Sequence, residues 1–407
     1  MNKSTSKVDV TVLQPNVLSL IDFCKGLAIS WVFLFHYRPE WFGWQGVHIF
    51  IVLSGFGLTY SCLKKTGIIS WKQWYLKRAE RILPTYWLVS LCGFLIMLCL
   101  YIFTKHEVAV NKKDYLIDLL LNILLLKNLS VQRIFSAPND PLWFIPLLVG
   151  FYLVFPWLYH LILKYQTIKG SLLVLLAVAA IEFVYRAIST YYFDGAPIGY
   201  EQHLVKGLSV FPLKPLNNIP NTFFLFPFQL QAPFGLFLSR LAEFTLGMLG
   251  ARILVQNSQK FHDTFINYRL GLFGVFIWIA GYTLVFTRLW TWIFADLLIA
   301  LGIVLAVVNL AWIFQNRFTF LFIKLGQIGS YSYYIFLTHG VFIYLFFERQ
   351  PMLVVYSKSL YLSFFKELFM FLLLISATGV SSWLLMKFDK SKFPKLIVQK
   401  TIGRFFQ

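Results

Sequence analysis

The stretch 17-VLSLIDFCKGLAISWVFLFHY-37 decides how the chain is read. It is apolar over the length of a bilayer core, about 20 residues at 1.5 Å each, which makes it a transmembrane helix. Three ionisable residues interrupt it. A charge within a span costs about 2.5–3.5 kcal/mol on insertion scales, so Asp22, Lys25 and His36 in one helix call for an explanation. Asp22 and Lys25 stand three positions apart and can pair on one helical face. Lys25 and His36 have ten residues between them. At about 100° per residue that is close to three turns, which puts both on one face, roughly 16 Å apart along the axis.

Working outward, similar apolar segments follow near 44–63, 82–104, 141–163, 170–188, 234–254, 270–287, 289–314, 328–348 and 360–386. The predicted fold is therefore all-α: a polytopic membrane bundle of about ten transmembrane helices. A further apolar stretch, Tyr115 to Leu126, is short for a span and reads as an interfacial or re-entrant piece. The chain is 58% hydrophobic and 13% charged, where soluble domains carry roughly a quarter charged residues. Soluble multidomain architectures are excluded on that ground.

The net charge of +19 does not indicate nucleic acid, because the basic residues fall in short stretches between apolar segments. They report topology instead. Lys64, Lys65, Lys72, Lys77, Arg78 and Arg81 lie in one such stretch, and Lys387, Lys390, Lys392, Lys395, Lys400 and Arg404 in the tail. By the positive-inside rule both stretches, and both termini, are expected to be cytoplasmic. The domain reading is a cytoplasmic tail at 1–16, a membrane domain at 17–386 and a basic cytoplasmic tail at 387–407. The first apolar run ends in Phe-His-Tyr-Arg rather than at a small-residue cleavage site, so it is read as a permanent helix. Cys24, Cys62, Cys92 and Cys99 lack metal-ligand spacing and are expected to be buried thiols, with no metal site. The Pro-, Phe- and Asn-rich segment 212–233 reads as an ordered outer loop.

Five further blocks recur in a definite order. They are Gly46-Val47-His48-Ile49-Phe50-Ile51-Val52-Leu53-Ser54-Gly55-Phe56; Lys77-Arg78-Ala79-Glu80-Arg81-Ile82-Leu83-Pro84; Leu142-Trp143-Phe144-Ile145 with Phe151, Tyr152 and Pro156; Glu243-Phe244-Thr245-Leu246-Gly247-Met248; and Leu325-Gly326-Gln327-Ile328-Gly329-Ser330-Tyr331-Ser332-Tyr333-Tyr334 through His339. With the basic residue, ten residues and histidine of the first helix, they make the chain resemble the acyltransferase 3 family of membrane acyltransferases. Lys25 fills the first position where Arg is commoner, Arg78 and Arg81 form the family's Arg-x-x-Arg, and Leu148 stands where many members carry Glu.

The resemblance implies an O-acyltransferase of a bacterial cytoplasmic membrane, most simply an O-acetyltransferase. It would take an acyl group from cytoplasmic acyl-coenzyme A, such as acetyl-CoA, as co-substrate, with no tightly bound cofactor, and place it on a hydroxyl of a surface or exported carbohydrate. His36 is expected to be the general base, since an imidazole takes protons near neutral pH. Lys25 would stabilise charge on the thioester oxygen or orient the donor, with Asp22 holding it. Lys77, Arg78 and Arg81 would grip the coenzyme phosphates. Trp143, Tyr152, Glu243, Ser330, Tyr331 and His339 are the candidate substrate-binding residues. Glu243 has the competing reading of an ion pair with Arg240. The glycines of the second helix are expected to serve close helix packing. The alternative function is a glycan transporter or flippase with the same intramembrane charges lining its path.

Overall fold

A computed structural model describes residues 10–37, 43–103, 112–129, 133–134, 140–192, 235–285, 289–348 and 360–403. The segment 212–233 lies outside them. Every regular element among the described residues is helical. In chain order they are α1 (Val10–Tyr37), α2 (Gly46–Leu63), α3 (Trp71–Phe103), α4 (Lys112–Ile123), α5 (Phe144–Lys164), α6 (Ile168–Tyr192), α7 (Leu241–Gln256), α8 (Ser258–Phe265), α9 (Tyr268–Val285), α10 (Trp292–Arg317), α11 (Thr319–Ser330), α12 (Ser332–Ile343), α13 (Leu360–Lys390) and α14 (Phe393–Thr401).

Eight of these, α1, α2, α3, α5, α6, α9, α10 and α13, contain stretches long and apolar enough to cross a bilayer. The chain is a multi-pass membrane protein. The other two expected spans are shorter than the sequence suggests. The segment 234–254 becomes a single 3₁₀ turn, Phe237–Arg240, followed by the 16-residue α7. Helix α7 is buried on most sides, so protein rather than lipid satisfies its surface. The segment 328–348 is broken at Tyr331, between α11 and α12, where Gly329 is wedged against α1. The stretch Tyr115–Leu126 falls mostly in α4, 12 residues long, in keeping with a non-spanning piece. The carboxyl-terminal tail beyond residue 386 is also more regular than expected: α13 continues to Lys390 and α14 packs on α3, with Gln399 Nε2 donating to Glu80 Oε1 at 3.2 Å.

Two glycine seams let the central helices approach at backbone distance. A methyl group at Gly26 would collide with the Leu325 carbonyl of α11, and one at Gly329 with the Asp22 carbonyl of α1. The same holds for Gly55 of α2 against the Phe244 carbonyl of α7, and for Gly247 against Val52. Small residues at these crossings replace a hydrophobic driving force, which is absent between helices already in lipid. By contrast, Cys92 and Cys99 are exposed rather than buried, because that half of α3 lies at the lipid-facing edge. Cys24 and Cys62 are buried as expected.

The seams set a common axis. Helices α1 and α12 both run from the end of the bundle that carries Arg78 toward the end that carries His36. Helix α13 returns beside them, with Tyr334 OH donating to Asp389 Oδ2 at 2.6 Å and Thr338 bonded to Ser382 at 3.2 Å. At the His36 end, α4 is clamped by Arg133, which bonds Asp114 at 2.5 Å and Asp118 at 2.8 Å. Asn128 ties that layer down by donating to the carbonyls of Trp143 at 2.7 Å and Gly235 at 2.6 Å.

Candidate active site

A cavity of about 300 Å³ opens between α1, α2, α3, α5 and α12. Lys25, Arg78 and Arg81 line it, together with Ser54, Ser61, Tyr152, Ser332 and Tyr333, and among the described residues no carboxylate does. Lys25 is held from one side by Asp22 at 3.4 Å, the pairing expected from their spacing. Arg78 lies 5.5 Å from the Trp74 ring centroid, and its Nε is buried without a hydrogen-bond partner. A guanidinium left in that state is ready for an external anion. At its far end the cavity is walled by Phe50, Phe144 and Phe336.

Behind that wall is a pair of histidines. His36, at the end of α1, and His339, on α12, have ring centroids 4.9 Å apart and planes at 75°. His339 Nδ1 lies 3.0 Å from the Ile335 carbonyl and 2.9 Å from that of Phe336, and His36 Nδ1 lies 2.9 Å from the Val32 carbonyl. Carbonyl oxygens only accept, so both rings carry their proton on Nδ1. His339 Nε2 is thereby an acceptor, 3.4 Å from His36 Nδ1, and His36 Nε2 keeps its lone pair. Thus α12 receives both Lys25 and His36 of α1: Lys25 shares a cavity with Ser332 and Tyr333, and His36 meets His339. The common face inferred from spacing is the face that α1 turns to α12.

A separate group of charges sits where α2, α6, α7 and α10 meet. Glu243 lies 3.0 Å from His48 Nδ1 and accepts from Arg240 at 3.3 Å, and Arg240 also lies 3.0 Å from that Nδ1. Asp296 is 2.6 Å from Arg186 and 3.2 Å from Arg240, with His48 Nε2 3.8 Å away. Glu182 is 3.8 Å from Arg186 and accepts the Ala242 backbone N–H at 2.8 Å. All six side chains are essentially inaccessible. Two guanidiniums and an imidazole therefore face three carboxylates in a nearly neutral set, the condition under which charges survive burial.

The expected site residues divide accordingly. Asp22, Lys25, Arg78, Arg81 and Tyr152 gather at the cavity, and His36 and His339 pair beyond its aromatic wall. Glu243 does not reach the cavity; its ion pair with Arg240 is the reading the structure bears out. Lys77 is exposed and is not among the residues that line the cavity. Ser330 is exposed and donates to the Gln327 carbonyl at 2.7 Å, and Tyr331 lies in the break before α12; the next two residues, Ser332 and Tyr333, line the cavity in their place. Trp143 is half-buried at the start of α5, outside the lining. Sequence reading missed Glu182, Arg186 and Asp296. The signal was available: each is an ionisable residue inside an apolar segment, with Glu182 and Arg186 four apart.

Another chamber, about 330 Å³, is lined almost wholly by apolar residues such as Leu20, Phe56 and Val304, and among the described residues it shares Leu53 alone with the cationic cavity. Among the described residues that line it, Cys24 and Ser171 alone carry a thiol or a hydroxyl, and none is charged.

The acyltransferase 3 family, described as an acyltransferase domain, matches residues 18–387, from the start of the first spanning stretch to the last turn of α13. No curated protein and no solved structure matches the chain. The family match, the cationic cavity and the multi-pass bundle are of one piece, and the chain belongs to the acyltransferase 3 family of membrane acyltransferases.

Proposed function

We propose that this protein transfers a small acyl group from cytoplasmic acyl-coenzyme A to a hydroxyl of an exported or surface carbohydrate in a bacterial cytoplasmic membrane, with acetyl-CoA the simplest donor. The observation that carries this reading is the juxtaposition on α12 of a three-cation cavity and, one aromatic layer further, a histidine whose Nε2 is free to accept a proton.

The donor enters from the Arg78 end, which the basic residues of the α2–α3 connection and of the tail mark as cytoplasmic. A cavity of about 300 Å³ is at the small end for ligand pockets, so it takes the thioester arm while Arg81, exposed at the mouth, and Arg78 meet the phosphates. The acceptor hydroxyl arrives from the His36 end. His36 Nε2 takes its proton as the oxygen bonds to the acyl carbon, and the carbon–sulfur bond breaks to leave a thiolate. That thiolate receives the proton and departs as the free thiol. His339 Nε2 and the Val32 carbonyl accept from His36 Nδ1–H throughout, which favours the imidazolium formed in the step. The thioester is already activated, so no covalent enzyme intermediate is required.

The test is release of coenzyme thiol from acetyl-CoA by membranes containing the protein. His36→Ala is expected to lower the rate by about 10²- to 10⁴-fold, the usual share of a general base. Wild-type transfer by that variant removes His36 from the mechanism, and no thioester consumption by the intact protein removes the reaction.

A further inference from the structure

We propose that Phe336 is the gauge of acyl-group size, a specificity-determining residue that restricts the donor to short, uncharged acyl groups; the proposal rests on the transfer reading above. Neither His36 nor His339 is among the described residues that line the cationic cavity. The Phe336 ring adjoins both the cavity and His339. It forms part of the cavity wall, and its centroid is 5.7 Å from that of His339, which in turn is 4.9 Å from His36. An acyl carbon delivered from the cavity toward the base would pass this ring.

The ring has little freedom to step aside. Phe336 is 6% exposed and packs on Phe144 at 5.3 Å, which packs on Phe50 at 6.2 Å. Its own carbonyl accepts the His339 Nδ1–H at 2.9 Å, so moving its backbone would also release the imidazole. The three rings and the neighbouring Ile145 supply no hydrogen-bond partner for a distal carboxylate. An acyl group ending in a charge would be stripped of water against aromatic faces. A longer alkyl group would have to occupy the space the ring fills in a close-packed interior. An acetyl-sized group avoids both penalties, and the polar side chains Lys25, Arg78 and Arg81 remain with the rest of the donor.

The experiment compares thiol release from acetyl-, butyryl- and succinyl-CoA by membranes containing wild type, Phe336→Ala or Phe336→Leu, with acyl esters recovered by mass. Wild type is expected to use acetyl-CoA in strong preference to the other two. In Phe336→Ala the butyryl-to-acetyl ratio should rise by about tenfold or more, since one methylene in an apolar pocket is worth about 10- to 200-fold; succinyl should gain much less. Phe336→Leu, which keeps the wall filled, should give an intermediate ratio and serves if the alanine variant does not accumulate. An unchanged ratio in a variant that still transfers acetyl overturns the gauge alone, as does a wild type that accepts all three thioesters equally. Failure of the wild type to release thiol from any of them, relative to His36→Ala, overturns instead the transfer reading beneath it.

Discussion

His36 draws its character from its Nδ1, which faces a carbonyl and a second imidazole at once. Under the proposed function that geometry would make His339 a positioning residue, its Nε2 joining the Val32 carbonyl as a partner of His36 Nδ1. Loss of such a supporting partner typically costs about 10- to 100-fold. His339→Ala is therefore expected to lower kcat by about that factor with little change in KM for the thioester, and His339→Gln, which can place an amide oxygen near the lost Nε2, should recover part of it. Equal kcat for the two variants would show a packing role only. At the other end, Arg78→Lys keeps the charge but loses the planar fork, and is expected to raise KM for acyl-CoA while leaving kcat nearly unchanged.

Single helices are placed by what their neighbours allow. Gly329→Ala pushes a methyl into the Asp22 carbonyl of α1, and overpacking of this kind costs about 1–3 kcal/mol or more. Its thermal midpoint in detergent should fall, and because the same seam sets Lys25 against the cavity, thioester turnover should fall with it. Gly379→Ala on α13 is the matched control: nothing lies within 4 Å of an added methyl there, and replacing a helical glycine should leave stability unchanged or raise it by about 0.5–1 kcal/mol. The buried charges act on the same scale, tying α2, α6, α7 and α10 together. Asp296→Asn removes the anion shared by Arg186 and Arg240 and is expected to cost about 3–5 kcal/mol, read as loss of folded protein in membranes or detergent. An Asp296→Asn protein as heat-stable as wild type would show that these charges do not hold the helices.

Over the molecule as a whole, the distribution of Lys and Arg predicts that both termini and the α2–α3 connection share one side of the membrane. Reporter fusions at the two ends are expected to report the same compartment, and opposite compartments would break the assignment of the Arg78 end to the cytoplasm. The bundle also explains the unequal fate of the ten apolar segments. Those facing lipid must be long and apolar to be satisfied, and the sequence displays them plainly. Helices α7 and α12 are surrounded by protein, so they are short, carry polar residues and blur the hydropathy signal.

From composition and spacing alone came the membrane class, the eight long apolar helices, the shared face of Lys25 and His36, and the basic cluster at the mouth of α3. Those properties are local: they depend on the length of an apolar run, the 3.6-residue period and the charge beside it. Which residues converge was left to the packing. Spacing within one helix does not reveal that α12 lies against α1, that His339 stands beside His36, that Ser332 and Tyr333 line the cavity, or which of its two readings Glu243 follows in pairing with Arg240 and His48. His36 and His339, 303 residues apart in the chain, meet only when the glycine seams bring the backbones together, and that convergence is a property of the folded bundle.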